Sequence, residues 1–199
     1  MKIGLFQNSY LRLFNLYPIM SEEKQTNYFD FYELPVQFNP DQNAIKTKFY
    51  ALSKKFHPDF YANESEDKQQ EVLDLSTLNN KAYQTLSNAK KRLKYVLELK
   101  GIVETDEGYK LPQSFLMEMM DVNEALMDLE FEPDAAKLAQ VSDDVDLIEK
   151  SLESELKALL NQFDENPADS ENLLPVIKDI FYRQKYIARI RERLPKVNL

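Results

Sequence analysis

The chain contains a single histidine, His57, and Pro58 and Asp59 follow it directly. An imidazole beside a carboxylate is the raw material of acid–base and nucleophilic catalysis, but that chemistry needs a third group converging on the pair. Composition narrows the choice of such a group. With no Cys, thiolate nucleophiles, disulfides, thiolate zinc sites and Cys-ligated clusters are excluded, and one His is too few for a multi-histidine metal centre. The Asp and Glu residues lie mostly along helical faces at the spacings of solvated surface, so no paired-carboxylate hydrolase site emerges. Three Gly leave no G-x-G-x-x-G or G-x-x-x-x-G-K loop to cradle phosphate. No metal, no cofactor and no catalytic residue are therefore expected.

Charge narrows the classes further. The 199 residues carry 25 Lys and Arg against 34 Asp and Glu, a formal charge of -9 with an isoelectric point near 4.8. Such a surface has no general means of neutralising a phosphate backbone, so nucleic acid is not an expected partner. Against that background one segment stands out: from Ala44 to Phe56 there are Lys46, Lys48, Lys54 and Lys55 and no acid. Ile45, Phe49, Leu52 and Phe56 recur there at steps of four, three and four, the stripe of an amphipathic helix, and the lysines flank or oppose it. The first twenty residues lean apolar but are interrupted by Gln7, Asn8, Ser9, Arg12 and Asn15. Neither a membrane span nor a secretory signal is expected from them, and residues 1–26 read as a flexible extension.

The elements that must hold these groups are helical almost throughout, with no run of alternating β-branched residues. A short aromatic segment, Tyr28 to Leu34, is ended by Pro35, and Asn39-Pro40-Asp41 opens the basic helix. Pro58 closes that helix, because proline disfavours the helical conformation in the residue before it. A second run carries Val72, Leu75, Leu78, Ala82 and Leu86, breaks at Ser87-Asn88, and resumes from Ala89 to Leu99 until Gly101. Residues 101–112 show no helical period and form the boundary between a first unit at 27–100 and a second at 113–195. The second unit reads as three helices with short connections, an antiparallel bundle separate from the first.

The first bundle helix has two apolar faces. At about 100° per residue, Phe115, Met119, Val122, Ala125, Leu126 and Leu129 share one arc, enough to pack the bundle. Leu116, Met117, Met120 and Met127 fall on the opposite side among Asp121, Glu124 and Asp128. An apolar cluster rimmed by acids and rich in adaptable Met reads as a docking patch.

The stretch from Tyr28 to Leu99, with FDFYELP, KTKFYALSKKFHPDF and LNNKAYQTLSNAKKRLKYVL, resembles a J-domain, the family defined by a His-Pro-Asp loop between two antiparallel helices. Beyond Gly101, QSFLMEMMDVNEALMDLE and the three-helix tail are similar to the iron–sulfur-assembly co-chaperones of the HscB/Jac type, so the resemblance covers nearly all of residues 27–195. It implies an all-α protein, an N-terminal J-domain and a C-terminal three-helix bundle. It implies a co-chaperone, not an enzyme, that stimulates the ATPase of a DnaK/HscA-type 70 kDa heat-shock chaperone and brings it an IscU-type scaffold. On matched positions His57, Pro58, Asp59, Lys48, Lys54 and Lys55 would meet the chaperone. Leu116, Met117, Met120, Asp121, Glu124 and Asp128 would meet the scaffold, joined by an aromatic of the last helix, Phe181 or Tyr182. Asp59 suits a charge-assisted bond to an Arg of the partner, and the lysines suit an acidic surface.

Two departures from the family pattern are visible. Many J-domains place Lys or Arg directly after the Asp, where this chain has Phe60 and Tyr61, and the Cys-free chain cannot build the zinc module of the vertebrate branch. The expected compartment is the cytoplasm or, equally served by this machinery, the mitochondrial matrix. The other readings of the residues are a J-protein for a different client and a helical adaptor whose His-Pro-Asp is incidental.

Overall fold

The computed structural model describes residues 27–104 and 108–194, so the expectation for residues 1–26 lies outside the described residues. Among the described residues there is helix and no β-strand. Helix α1 (Tyr28–Phe31) leads to α2 (Gln42–Lys55), whose first turn is capped by the Asp41 carboxylate accepting from the Asn43 N–H at 2.9 Å. Pro58 opens a short 3₁₀ turn, Pro58–Tyr61, and α3 (Glu66–Leu86) returns antiparallel to α2. Asn88 stops α3 and caps α4 (Ala89–Leu99), accepting from the Lys91 N–H at 3.0 Å. Helix α4 ends in a Schellman motif: Gly101 has φ +66, its N–H donates to the Glu98 carbonyl, and the Ile102 N–H donates to the Leu97 carbonyl.

The bundle consists of α5 (Gln113–Phe131), α6 (Ala135–Glu165) and α7 (Leu174–Arg193). Its core takes the expected arc of α5, with Phe115, Met119, Val122, Leu126 and Leu129 all buried and Ala125 packed partly against them.

Two buried polar side chains organise the first unit, and sequence pattern gave neither away. Asn79, at 1% exposure, donates to the Phe49 carbonyl at 3.1 Å and to Ser53 Oγ at 2.9 Å. Its own Oδ1 accepts from the Tyr32 hydroxyl at 2.9 Å, so one amide ties α2, α3 and the end of α1 together. Arg92, at 6% exposure, donates to the carbonyls of Phe38 and Leu86. Paired polar groups of this kind fix a helix register that apolar contacts alone leave adjustable.

The two units pack against each other across the boundary at 101–112. Their buried residues form one continuous core. Phe38, in the loop before α2, meets Phe163 of α6 edge-on at 5.1 Å. Asp164 grips the same loop, accepting from the N–H groups of Phe38 at 2.8 Å and Asn39 at 2.6 Å, and the Asn39 amide reaches Asn161 at 3.1 Å. A chain break in helical periodicity marks a change of element. It does not say whether the elements on either side share a core.

Candidate functional site

His57 stands exposed at the tip of the α2–α3 hairpin in extended backbone, φ -74 and ψ 123, the conformation that Pro58 imposes. Its Nδ1 lies 3.3 Å from the Asp59 N–H and caps the 3₁₀ turn. That geometry assigns the proton of the neutral ring to Nε2, the nitrogen turned away from the turn. The Asp59 carboxylate is exposed beside the ring, with Oδ2 3.7 Å from Nδ1. Phe60 lies next to it, 67% exposed, its ring 5.5 Å from the imidazole. The Tyr61 hydroxyl donates to the Lys55 carbonyl at 3.0 Å, tying the turn back to the end of α2.

The lysines of α2 border this loop. Lys46, Lys54 and Lys55 are exposed, and the ammonium of Lys55 lies 5.1 Å from the Phe56 ring centre. Lys48 is half-buried and pairs with Glu33. The hydrogen bond from Lys48 holds the Glu33 carboxyl below its ordinary range. Glu33 has φ +54, a left-handed conformation that a non-glycine residue adopts with some strain. Lys48 is thus already partnered within the chain, which the isolated sequence does not reveal.

The second candidate surface lies on α5. Leu116 is 41% exposed and Met117 and Met120 are each 61% exposed, while Met119 between them is fully buried. Asp121, Glu124 and Asp128 are exposed around them, Asp128 in an ion pair with Lys137 at 2.7 Å. The helix is therefore not sandwiched between two layers, and its second apolar face meets water. Phe181 and Tyr182, the two aromatics expected beside this patch, lie on α7. Phe181 is 8% exposed and lines the α4–α7 seam with Lys90 and Leu93, because the side of α7 that carries it packs toward the first unit. Tyr182, half-buried, stacks on Tyr109 at 4.4 Å. No cluster of three or more His, Cys, Asp or Glu that could hold a metal occurs among the described residues, and none of their helices is long and apolar enough to cross a membrane.

Comparison with known proteins agrees with this architecture unit by unit. Residues 27–95 match the DnaJ domain and residues 111–195 match the HSCB C-terminal oligomerisation domain. The chain is 32% identical over 174 residues to a Co-chaperone protein HscB homolog of Vibrio cholerae, covering 86% of this chain and 96% of that one. It is 35% identical over 145 residues to the Haemophilus ducreyi homolog, covering 72% and 84%. The solved chaperone HscB from Vibrio cholerae superposes with a TM-score of 0.56 at 29% identity, over 86% of this chain and 96% of that one. The crystal structure of human co-chaperone protein HscB shares the fold, with a TM-score of 0.66 at 22% identity over 98% and 93%. A J-type hairpin with its His-Pro-Asp tip, joined to a bundle of this kind and matched along both, makes the chain a member of the HscB family of J-domain co-chaperones.

Proposed function

We propose that this protein stimulates ATP hydrolysis by a DnaK/HscA-type 70 kDa heat-shock chaperone and delivers to it an IscU-type iron–sulfur scaffold protein, without catalysing a reaction itself. The observation that carries the reading is the exposed His57-Pro58-Asp59 tip beside a basic helix in an otherwise acidic molecule. Long-range attraction between Lys48, Lys54 and Lys55, with Lys46 beside them, and an acidic chaperone surface speeds encounter. At close range Nε2–H of His57 donates and Asp59 accepts a charge-assisted bond. The exposed face formed by Leu116, Met117, Met120, Asp121, Glu124 and Asp128 takes the scaffold. Binding at both places couples the two partners, and such coupling is reciprocal in free energy. The cytoplasm, or the mitochondrial matrix, is the compartment that fits these partners.

Single-turnover ATPase measurements with purified chaperone and scaffold test this directly. The protein should accelerate hydrolysis alone and more so with scaffold present. No acceleration under either condition would leave the adaptor reading in its place.

A further inference from the structure

The exposed stripe of α5 is longer than the patch described above. Phe131, the last residue of the helix, is 86% exposed, and Met127, one turn earlier, is 55% exposed. At about 100° per residue, Leu116, Met120, Met127 and Phe131 fall within about 60° of one another around the axis. They form a single line about 22 Å long at 1.5 Å per residue. Neither Met127 nor Phe131 belongs to the buried core. Asn123 and Glu124 fill the interval between Met120 and Met127. Exposed apolar residues scattered singly need no explanation, but several aligned on one face and rimmed by acids mark a contact surface.

We infer that the scaffold-docking surface continues through Met127 to Phe131 at the α5–α6 corner, and that its occupant is an apolar surface edged with Lys or Arg. The inference rests on the proposed reading that α5 binds the scaffold. Charge selects the occupant. Helix α5 holds five acids and no base, and on the same wheel Glu124, Asp128 and Asp121 follow one another along one border of the line. A second copy meeting this face across a two-fold axis would set carboxylate against carboxylate, which disfavours self-pairing. At the corner, Asp128 is already paired with Lys137, and Asp134 accepts from the N–H groups of Ala136 and Lys137 to cap α6. Exposed Glu132, next to Phe131, is the carboxylate there for an incoming cation. Phe131 then acts as a distal aromatic anchor.

The test is calorimetric titration of the full-length chain with purified IscU-type scaffold protein, using Phe131→Ala, Met127→Ala with Phe131→Ala, and a Leu116→Ala, Met117→Ala, Met120→Ala control. Phe131→Ala should weaken binding about tenfold or more, as for an interface aromatic anchor, with an unchanged melting temperature. The double variant should lose more. If Phe131→Ala binds like the parent while the control variant fails to bind, the extension is wrong and the proposed function stands. If the parent itself does not bind scaffold, both are wrong. A lowered melt for Phe131→Ala would show that the ring packs on something, which overturns the exposed anchor. Sedimentation equilibrium decides the occupant: a monomeric parent agrees with a basic partner, and self-association abolished by Phe131→Ala overturns it.

Discussion

His57 contributes to this protein through presentation rather than packing. Its ring is solvent-facing, one nitrogen is spent on capping the Pro58–Tyr61 turn, and the other is left pointing outward as a donor. Replacing it with Gln should change stability within about 0.5 kcal/mol, as expected of a surface substitution, and should abolish stimulation of the chaperone ATPase. Circular dichroism checks the first statement and single-turnover hydrolysis the second. A variant that folds and still stimulates normally would remove this loop from the contact. The neighbouring Phe60 and Tyr61 carry no charge, so the lysines beside the tip lie on the flanking helices, and of those on α2 Lys48 is engaged by Glu33.

At the scale of the element, α5 separates two functions by angle. Truncating Met119, which is fully buried, should cost roughly 2–5 kcal/mol, the range for buried large-to-Ala changes. Truncating Leu116, Met117 and Met120 together should cost far less, because their side chains already meet water. Scaffold affinity should behave in the opposite way and collapse in the triple variant, since central apolar anchors carry most of an interface's energy. Reversing Asp121, Glu124 and Asp128 to Lys should weaken the same binding with a component that grows at low salt. Thermal melts paired with calorimetric titration report on both properties at once. A triple variant melting far below the parent would place these residues in the core and end the docking assignment.

For the whole molecule, the decisive contact is the hold of α6 on the loop that leads into α2. Asp164 accepts two consecutive backbone N–H groups from Phe38 and Asn39, Phe163 packs on Phe38, and Arg92 secures the Phe38 carbonyl from the other side. Since α2 starts within a few residues of this grip, loss of Asp164 should loosen the direction of the His57 tip relative to the α5 stripe. Asp164→Ala leaves both N–H groups without their carboxylate, an effect of about 1.5–3 kcal/mol for bonds to a charged group. The chain lacks Cys, so cysteines introduced at exposed Gln70 and Gln140 can carry a unique pair of spin labels. Their distance distribution should be narrow in the parent and broad in Asp164→Ala. An unchanged distribution would show that apolar packing alone sets the angle. Burial pushes the Asp164 carboxyl above the ordinary aspartate range, against the hydrogen bonds from Phe38 and Asn39 and the charge of Arg92. The folded state therefore binds this proton more tightly than the unfolded chain. The stability it contributes is present below the ordinary aspartate value and falls as pH rises through the folded one. Melts across the mildly acidic range should show that slope in the parent and lose it in Asp164→Ala.

The sequence by itself determined the helices and their ends. Apolar period, Asp41 and Asn88 as caps, Pro58 before α3 and Gly101 after α4 are local causes, and local causes are written in neighbouring residues. It also determined that α5 has two apolar faces and that His57 sits at a turn, because both follow from spacing alone. Tertiary structure alone decided which of those faces is covered, that Phe181 lines the α4–α7 seam, and that Lys48 is paired with Glu33. It also decided that the gap at 101–112 does not divide the core. Partners such as Asp164 and Phe38, or Asn79 and Tyr32, are separated by 126 and 47 positions, and their meeting depends on how whole helices pack. No periodicity within a single segment encodes that packing, since each helix reports only which side is apolar and not which neighbour will cover it.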